Sequence, residues 1–200
     1  MEKLTISGDT FWEEELVYDT KENFLSKIDE LASLTRNVQA STYPNNSYHL
    51  TKSDIDNDVV EPEIYHKNWL ENSDKWGNEY LGWLIYSEDK TLAAIMTAYK
   101  NIFTYDNPIK GAVQIEIEKV WLGNLFIDPK YQGKGLGSYL MNKLILWSEG
   151  LDIGLNVVEY NTKAIRFYER FGFKYSYQGK GTEYKGKLIP EICMWRVAEK

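Results

Sequence analysis

Cysteine is nearly absent from this chain of 200 residues, which contains only Cys193. A single cysteine excludes a disulfide within the chain and is typical of proteins in a reducing compartment. Its position in an apolar segment predicts a small buried side chain rather than a nucleophile. Long apolar runs are also missing, and the first residues lack the pattern of a signal peptide. We therefore expect a cytoplasmic protein that does not bind a membrane.

Histidine is also rare, and the net charge is negative. The two histidines, His49 and His66, do not combine with cysteine or acidic residues at metal-ligand spacing, so we expect no metal site. The formal net charge of −7 argues against binding to nucleic acid. Residues 129–143 are an exception, because they hold three lysines and no acid. This contrast suits an anionic cofactor at one site and a cationic co-substrate elsewhere, although ordinary scatter of surface charge gives the same pattern.

The length of the chain predicts one domain over residues 1–200, and the sequence shows no repeats or interdomain linker. Helices are predicted at 22–38, 61–72, 136–147 and 161–171, with a long loop at 39–60. Strands are predicted at 81–86, 92–99, 113–127, 153–158, 173–178 and 188–197. Gly123 and Asn124 interrupt the third strand as a bulge would. This order favours an α/β (α+β) fold with a mixed, mainly antiparallel sheet and helices on both faces.

The most informative segment is a glycine-rich turn that joins the strand at 113–127 to the helix at 136–147. Backbone N–H groups without obstructing side chains converge there on a helix N-terminus, an arrangement that holds a diphosphate. Lys130 and Lys134 are expected to add positive charge at the same place. Gly135 and Gly137 are expected to let a ligand approach more closely than a Cβ would permit.

Three phosphate-binding patterns compete for this turn. A P-loop needs four residues between its first glycine and Gly-Lys-Ser/Thr, and that spacing does not occur. A Rossmann fingerprint needs a third glycine where Ser138 stands, and an acid that ends the next strand is missing. The pattern Gln-x-x-Gly-x-Gly fits directly at Gln132, Gly135 and Gly137. A glycine-rich turn with no ligand is the remaining alternative.

A second motif follows the strand at 153–158. It fits the pattern Asn-x-x-Ala-x-x-Phe-Tyr-x-x-x-Gly-Phe at Asn161, Ala164, Phe167, Tyr168, Gly172 and Phe173. With the pattern at 132–137, it resembles the GNAT superfamily of acyl-CoA N-acyltransferases over roughly residues 80 to 197. The resemblance implies the GNAT acyl-CoA N-acyltransferase fold, with an acetyl-CoA-binding core at 81–200. Residues 1–80 would then supply helices and loops on the acceptor side.

The resemblance also implies where the cofactor binds. The pantetheine of acetyl-CoA would pair like an extra strand with the backbone of Leu125, Phe126 and Ile127, and an N–H freed near the bulge would polarise the thioester carbonyl. The diphosphate would lie on Gln132, Gly133, Lys134, Gly135, Leu136, Gly137 and Ser138. Asn161 and Ala164 would contact the cofactor. Asn161 also stands where the following helix needs an N-cap, and the two roles are compatible.

Tyr168 is the candidate general acid. A phenol with a reference pKa near 10 can protonate a thiolate whose conjugate acid has a pKa near 8.5. Tyr168 also fits an apolar stripe of its helix, so a purely structural role is the alternative. The candidate bases are Glu116 and Glu118, which share one face of a strand, although solvated carboxylates at those positions are common. The family position that carries a carboxylate in several members falls nearer Trp121.

The resemblance therefore implies an enzyme that transfers the acetyl group of acetyl-CoA to a primary amine by direct attack. We expect a small-molecule amine, because residues 43–80 are rich in aromatic and acidic side chains that suit a cation. Packing of this segment on the sheet is an alternative explanation. A protein or peptide N-acetyltransferase and a non-catalytic CoA-binding regulatory module are the other functions considered. The expected assembly is a monomer or a homodimer.

Overall fold

The computed structural model describes residues 1–17, 26–56, 79–106, 114–184 and 186–198. The strands are β1 (Glu2–Ile6), β2 (Asp9–Val17), β3 (Glu79–Ser87), β4 (Leu92–Asp106), β5 (Gln114–Ile127), β6 (Ile153–Val158), β7 (Lys174–Gln178), β8 (Thr182–Tyr184), β9 (Lys187–Ile189) and β10 (Glu191–Arg196). The helices are α1 (Ile28–Thr42), α2 (Lys52–Asp56), α3 (Leu136–Trp147) and α4 (Thr162–Arg170). Short 3₁₀ turns occupy Asn46–Tyr48 and Pro129–Tyr131. In the described ranges, no helix combines the length and the apolar character that a membrane crossing needs.

Eight strands form one sheet in the order β1-β2-β3-β4-β5-β6-β10-β7, and β8 and β9 form a separate hairpin. Neighbouring strands are antiparallel except β5 and β6, which are parallel. Their pairing is short: Val120, Trp121 and Leu122 face Ile153, Gly154 and Leu155. The predicted mixed, mainly antiparallel sheet is confirmed.

Helices cover both faces of the sheet, as predicted. On one face, α3 buries Leu136, Leu140 and Leu144 against the sheet core. On the other face, α1 packs Leu31 and Leu34 in a second cluster with residues of β3 and β4. Full burial of one such side chain contributes about 1.5–3 kcal/mol, so the apolar stripes of these helices fix their positions on the sheet.

The predicted bulge in β5 is present. Leu122 pairs with Ala98 and Asn124 pairs with Thr97, so Gly123 is the extra residue. A Cβ at Gly123 would lie 3.0 Å from the Thr97 hydroxyl, which explains why this position has no side chain. The extra residue shifts the alternation of side chains along β5 by one position. The side chains of β5 therefore switch from one face of the sheet to the other at the point where β5 separates from β6.

The structure corrects several predicted boundaries. The loop predicted at 39–60 is wrong in part, because α1 continues to Thr42 and α2 follows at Lys52–Asp56. Burial of Ala40 extends α1 despite the polar residues around it. The strand predicted at 188–197 is two strands, since Pro190 has no N–H for a ladder. The predicted helix at 61–72 and the start of the helix at 22–38 lie outside the described residues.

The hairpin of β1 and β2 was not predicted from the sequence. Its two-residue turn, Ser7 and Gly8, has φ values of 53° and 88°. Two successive positive φ angles form the turn type that matches the twist of antiparallel strands. Only Gly8 is a residue typical of such a turn, so the sequence signal is weak.

Candidate active site

A cleft opens where β5 and β6 separate beyond their short parallel junction. Its volume is about 1010 Å³. Residues 121–127 of β5 and 155–158 of β6 form its two sides, and the C-terminal end of α1, the turn before α3 and the first part of α4 complete the lining. The cleft therefore lies between both motifs that the sequence analysis identified.

The backbone of β5 faces this cleft at alternate residues. The Asp128 N–H donates to the Ala93 carbonyl at 2.9 Å, which fixes the phase of hydrogen bonding between β5 and β4. In an antiparallel pair this phase alternates, so Leu125 and Ile127 direct their N–H and C=O groups away from β4 and toward the cleft. The Gln132 side chain donates to the Ile127 carbonyl at 3.1 Å. The motif glutamine thus joins the glycine-rich turn to the end of β5.

The opposite side of the cleft has a similar backbone edge. The Glu159 N–H donates to the Pro190 carbonyl at 2.9 Å, and β6 and β10 are antiparallel. The same alternation directs the C=O group of Asn156 and the N–H of Val158 away from β10 and toward the cleft, whereas the Asn156 N–H completes the parallel pairing with Leu122. An extended ligand between β5 and β6 would meet backbone donors and acceptors on both sides.

The glycine-rich turn adopts backbone conformations that favour glycine. Gly133 and Gly135 have φ values of 80° and 87°, and Gly135 is the N-cap of α3. A Cβ at Gly135 would lie 3.0 Å from a methyl carbon of Ile6. A Cβ at Gly137 would lie 3.1 Å from a methyl carbon of Ile127. These two glycines therefore also permit close packing inside the protein, in addition to the ligand approach expected from the sequence.

The lysines of this segment do not face the cleft. The Lys134 ammonium pairs with Asp9 at 2.8 Å, and the Lys130 ammonium lies 3.8 Å from Asp89. Both acids line a second, more open cavity of about 400 Å³ beside the turn. The structure therefore does not support the expectation that these lysines add charge at the diphosphate site. Positive potential there comes from the α3 N-terminus and its free N–H groups.

The residues predicted for the cofactor divide into two groups. Those that line the cleft are Leu125, Phe126, Ile127, Gln132, Gly133, Gly137, Asn161 and Ala164. Lys134, Gly135, Leu136 and Ser138 do not, and the Leu136 side chain is buried in the core. The side chains of Lys134 and Leu136 are therefore not placed to act on a ligand in the cleft. The Asn161 side chain accepts from the Ala164 N–H at 3.2 Å, which confirms its predicted N-cap role.

Tyr168 lies in the cleft lining and is 8% exposed. Its ring packs on Phe173 at a centroid distance of 5.7 Å, so it also belongs to the core stripe. Within the described part of the chain, its hydroxyl makes no hydrogen bond to protein. Burial, and secondly the nearby Tyr43, raise the pKa of Tyr168 above its ordinary value. The hydroxyl is therefore kept protonated, as a general acid requires.

The structure does not bring the predicted bases to the cleft. Glu118 is exposed on β5 opposite Ile102, and the β5 lining of the cleft begins at Trp121. Direct proton abstraction by Glu118 is therefore not supported. The side chain of Glu116 lies outside the described residues.

One end of the cleft is aromatic and acidic. The Tyr160 hydroxyl donates to the Tyr43 carbonyl at 2.8 Å, and the Tyr48 ring stacks on Tyr160 at 5.2 Å. The Glu191 carboxylate accepts from the Thr182 hydroxyl at 2.7 Å. Tyr43, Tyr160, Thr182 and Glu191 all line the cleft. This end has the character that the sequence analysis expected of an acceptor site.

Only part of this end of the cleft was predictable from the sequence. From the predicted segment 43–80, Tyr43 lines the cleft, whereas Tyr80 stacks on Tyr99. Residues 57–78 lie outside the described ranges. Tyr160 and Glu191 were missed, since neither belongs to a motif; an acid directly after a proline at the start of a strand is a weak signal.

A model of the acetyltransferase (GNAT) family matches residues 45–173. This chain belongs to the GNAT acetyltransferase family. The matched range contains both sequence motifs, and the sheet, helices and cleft have the predicted GNAT arrangement. The predicted family and fold class are therefore confirmed.

Two N-acetyltransferase relatives match short parts of the chain. The spermine/spermidine N(1)-acetyltransferase of Bacillus subtilis is 45% identical over 62 residues, which are 29% of this chain and 41% of that protein. The peptidyl-lysine N-acetyltransferase YjaB of Salmonella typhimurium is 42% identical over 50 residues, 25% of this chain and 33% of that protein. The matches thus span less than half the length of either relative.

A solved GNAT structure matches almost the whole chain. The PaiA N-acetyltransferase from Thermoplasma acidophilum, determined in complex with coenzyme A, has a TM-score of 0.58 and 16% identity. The match covers 94% of this chain and 98% of that protein. At this identity the likeness shows the fold alone.

Proposed function

We propose that this chain is an acetyl-CoA-dependent N-acetyltransferase that acts on a primary amine of a small cationic molecule. In this proposal residues 1–200 act as one domain, with the acceptor side at 1–80 and the cofactor-binding core at 81–200. The observation that carries the proposal is one cleft that combines three features. These are an open backbone edge on β5, the N-terminus of α3 and the protonated hydroxyl of Tyr168.

The cleft fits acetyl-CoA by the chemistry of its lining. The edge formed by Leu125 and Ile127 offers amide partners to the pantetheine, as an additional strand would. The N–H groups of the turn and of the first residues of α3 suit the diphosphate. The cofactor contacts predicted for Asn161 and Ala164 agree with their place in the lining. Family membership independently supports this assignment.

The reaction requires one bond to form and one to break. A neutral amine nitrogen attacks the thioester carbonyl carbon, the C–N bond forms and the C–S bond breaks. The departing sulfur takes the Tyr168 proton, and water takes the proton that the amine nitrogen loses. The Tyr168 phenolate then regains a proton from water. Backbone N–H groups near Gly123 would stabilise the carbonyl oxygen as it becomes negative.

A small polyamine is the acceptor class that we favour. The aromatic and acidic end of the cleft suits a cation, and the Bacillus relative is named for spermine and spermidine. The similarity to YjaB keeps a peptidyl-lysine acceptor as the second candidate. A regulatory CoA-binding module is a third, but the Tyr168 hydroxyl in the lining of the cleft is a proton donor that turnover needs and binding does not.

Release of free thiol from acetyl-CoA tests these functions in one assay. The acceptors are spermidine, 1,4-diaminobutane, butylamine and a lysine-containing peptide. We expect thiol release with at least one small amine and little with the peptide. Preference for the peptide would favour the second candidate. CoA binding by calorimetry without release for any acceptor would contradict catalysis and favour a regulatory module.

A further inference from the structure

Glu191 is a half-buried carboxylate that lines the cleft and, among the described residues, has no cationic partner. It is the first residue of β10 and pairs in register with Val158 at the end of β6. In the part of the chain that the structure describes, its carboxylate oxygens have one hydrogen bond, from the Thr182 hydroxyl at 2.7 Å. Lys187, four residues earlier in the sequence, pairs instead with Asp54 at 3.2 Å. A carboxylate that has lost part of its hydration without gaining a cation favours binding of a cationic ligand.

The neighbours of Glu191 suit an organic ammonium ion. Tyr43 and Tyr160 line the same end of the cleft, and the face of an aromatic ring attracts such a cation. Glu191 lies close enough to Tyr43 that, after burial, its negative charge is the main reason why the pKa of Tyr43 is raised. Aromatic faces beside a carboxylate combine cation–π attraction with a charge-assisted hydrogen bond.

Glu191 is not placed to act on the nitrogen that reacts. That nitrogen must be neutral when it attacks, whereas a bound carboxylate stabilises the charged ammonium form. The reaction takes place beside Tyr168, and the groups that raise the pKa of Tyr168 are its burial and Tyr43 rather than Glu191. The charge of Glu191 acts on Tyr43, and Tyr43 in turn acts on Tyr168. Glu191 therefore acts directly on Tyr43 and not on the general acid.

We propose that Glu191 binds a second ammonium group of the acceptor, so that the preferred substrates are diamines and polyamines rather than monoamines. This inference rests on the proposed function. It assigns the specificity for a second charge to a residue that belongs to neither sequence motif. Tyr43 and Tyr160 contact the chain between the two nitrogens.

The substitution Glu191→Gln tests the proposal, because an amide keeps an acceptor for Thr182 but removes the charge. The probes are 1,4-diaminobutane and butylamine, which differ by one amino group. We expect the KM for 1,4-diaminobutane to rise about tenfold or more, since a charged hydrogen bond contributes ~1.5–3 kcal/mol. The KM values for butylamine and for acetyl-CoA should stay within about twofold, as a change that acts through the second ammonium alone requires.

Glu159→Gln is the matched control. The Gln178 side chain donates to the Glu159 carboxylate at 3.3 Å and to the Glu191 carbonyl at 2.8 Å, so the two acids are neighbours. Glu159 is exposed and does not line the cleft. Its substitution removes the same charge nearby and should leave the KM for both amines unchanged. An equal effect of both substitutions would show a general influence of charge and would overturn the proposal.

Three other results would overturn it: an unchanged KM for 1,4-diaminobutane in Glu191→Gln, equal losses for both amines, or a fall in kcat for both amines at constant KM. The last result would assign Glu191 to proton transfer. A wild-type protein that acetylates no amine would contradict the proposed function without deciding this inference. Calorimetry of 1,4-diaminobutane with the CoA-loaded protein then decides it: weaker binding to Glu191→Gln supports the inference, and equal binding overturns it.

Discussion

At the scale of single residues, the two roles of Tyr168 belong to different atoms: the ring packs in the core, and the hydroxyl is the proposed proton donor. Tyr168→Phe keeps the ring that packs on Phe173 and removes only the proton donor. We expect kcat to fall about 10²-fold, with the KM for acetyl-CoA unchanged. The melting temperature should hold, because the hydroxyl has no hydrogen bond to lose within the described residues. Steady-state kinetics and a thermal melt measure both quantities.

Tyr139→Phe is the reciprocal control for this prediction. The Tyr139 hydroxyl donates to the buried Glu13 carboxylate at 2.9 Å, outside the cleft. Its loss should lower the free energy of unfolding by about 1–3 kcal/mol and leave kcat unchanged. Full activity of Tyr168→Phe would instead assign Tyr168 to the core alone.

The raised pKa of Tyr168 predicts the shape of the pH profile. Burial, then Tyr43, hold this pKa above the ordinary value near 10, so the acid stays protonated throughout the range of an assay. With butylamine, kcat/KM should rise with pH as the amine loses its proton. It should show no falling limb up to about pH 10. A fall that begins near neutral pH, in a protein that stays folded, would contradict Tyr168 as the acid.

At the scale of secondary-structure elements, Gly135 is the point where the glycine-rich turn packs against the hairpin of β1 and β2. Gly135→Ala places a Cβ against Ile6 at a φ of 87°, so the turn must distort, at a cost of about 1–3 kcal/mol. We expect the affinity for CoA to fall about tenfold or more, because the turn N–H groups shift. Calorimetry with CoA and urea unfolding measure the two effects.

Gly150→Ala supplies the control for backbone strain. Gly150 has a φ of 82°, but no atom of the described residues lies within 4 Å of the position that a Cβ would take. It follows α3 at the far end from the turn. Its substitution should cost similar stability and leave the affinity for CoA unchanged. Unchanged affinity in a folded Gly135→Ala protein would place the diphosphate elsewhere.

Local sequence signals predicted the elements that they control. Apolar periodicity placed α3 and the hairpin of β3 and β4, and Asn161 marked the start of α4. Gly123 marked the bulge, because a side chain has no room there. These features depend on neighbouring residues and on backbone conformation, both of which the sequence displays directly.

Long-range contacts could not be predicted in the same way. Lys134 pairs with Asp9, which is far away in the sequence, so its position outside the cleft depends on the N-terminal hairpin. Glu191 reaches the cleft through the pairing of β10 with β6. A carboxylate brought to a site by strand register leaves no periodic or motif signal. Glu118 shows the opposite case, because the sequence predicted its place on β5 but not that it lies outside the cleft.

At the scale of the whole molecule, the sheet has two parts with a short junction. One part contains β1 to β5, the other contains β6, β10 and β7, and the junction consists of three residue pairs. CoA bound between β5 and β6 would contact both parts. We expect it to slow hydrogen exchange at Leu125, Ile127 and Val158, whose amides face the cleft.

The Phe126 amide is the internal reference for this measurement. It points toward β4 by the same alternation and should exchange slowly with or without CoA. Hydrogen exchange followed by mass spectrometry or NMR would show the difference. Slowing that is confined to α3, with no change in β5 or β6, would contradict a cofactor that lies between the strands.

The hydrogen bond from Tyr160 to the Tyr43 carbonyl joins the same two parts at the other end of the cleft. The end of α1 belongs with the first part, and the residue that precedes Asn161 belongs with the second. In the proposed arrangement, the acceptor therefore binds between surfaces whose separation the cofactor helps to fix. Two ligands that favour the same separation of these surfaces each increase the affinity of the protein for the other. Thermodynamic reciprocity then requires that acetyl-CoA and the amine increase the affinity for each other by the same factor.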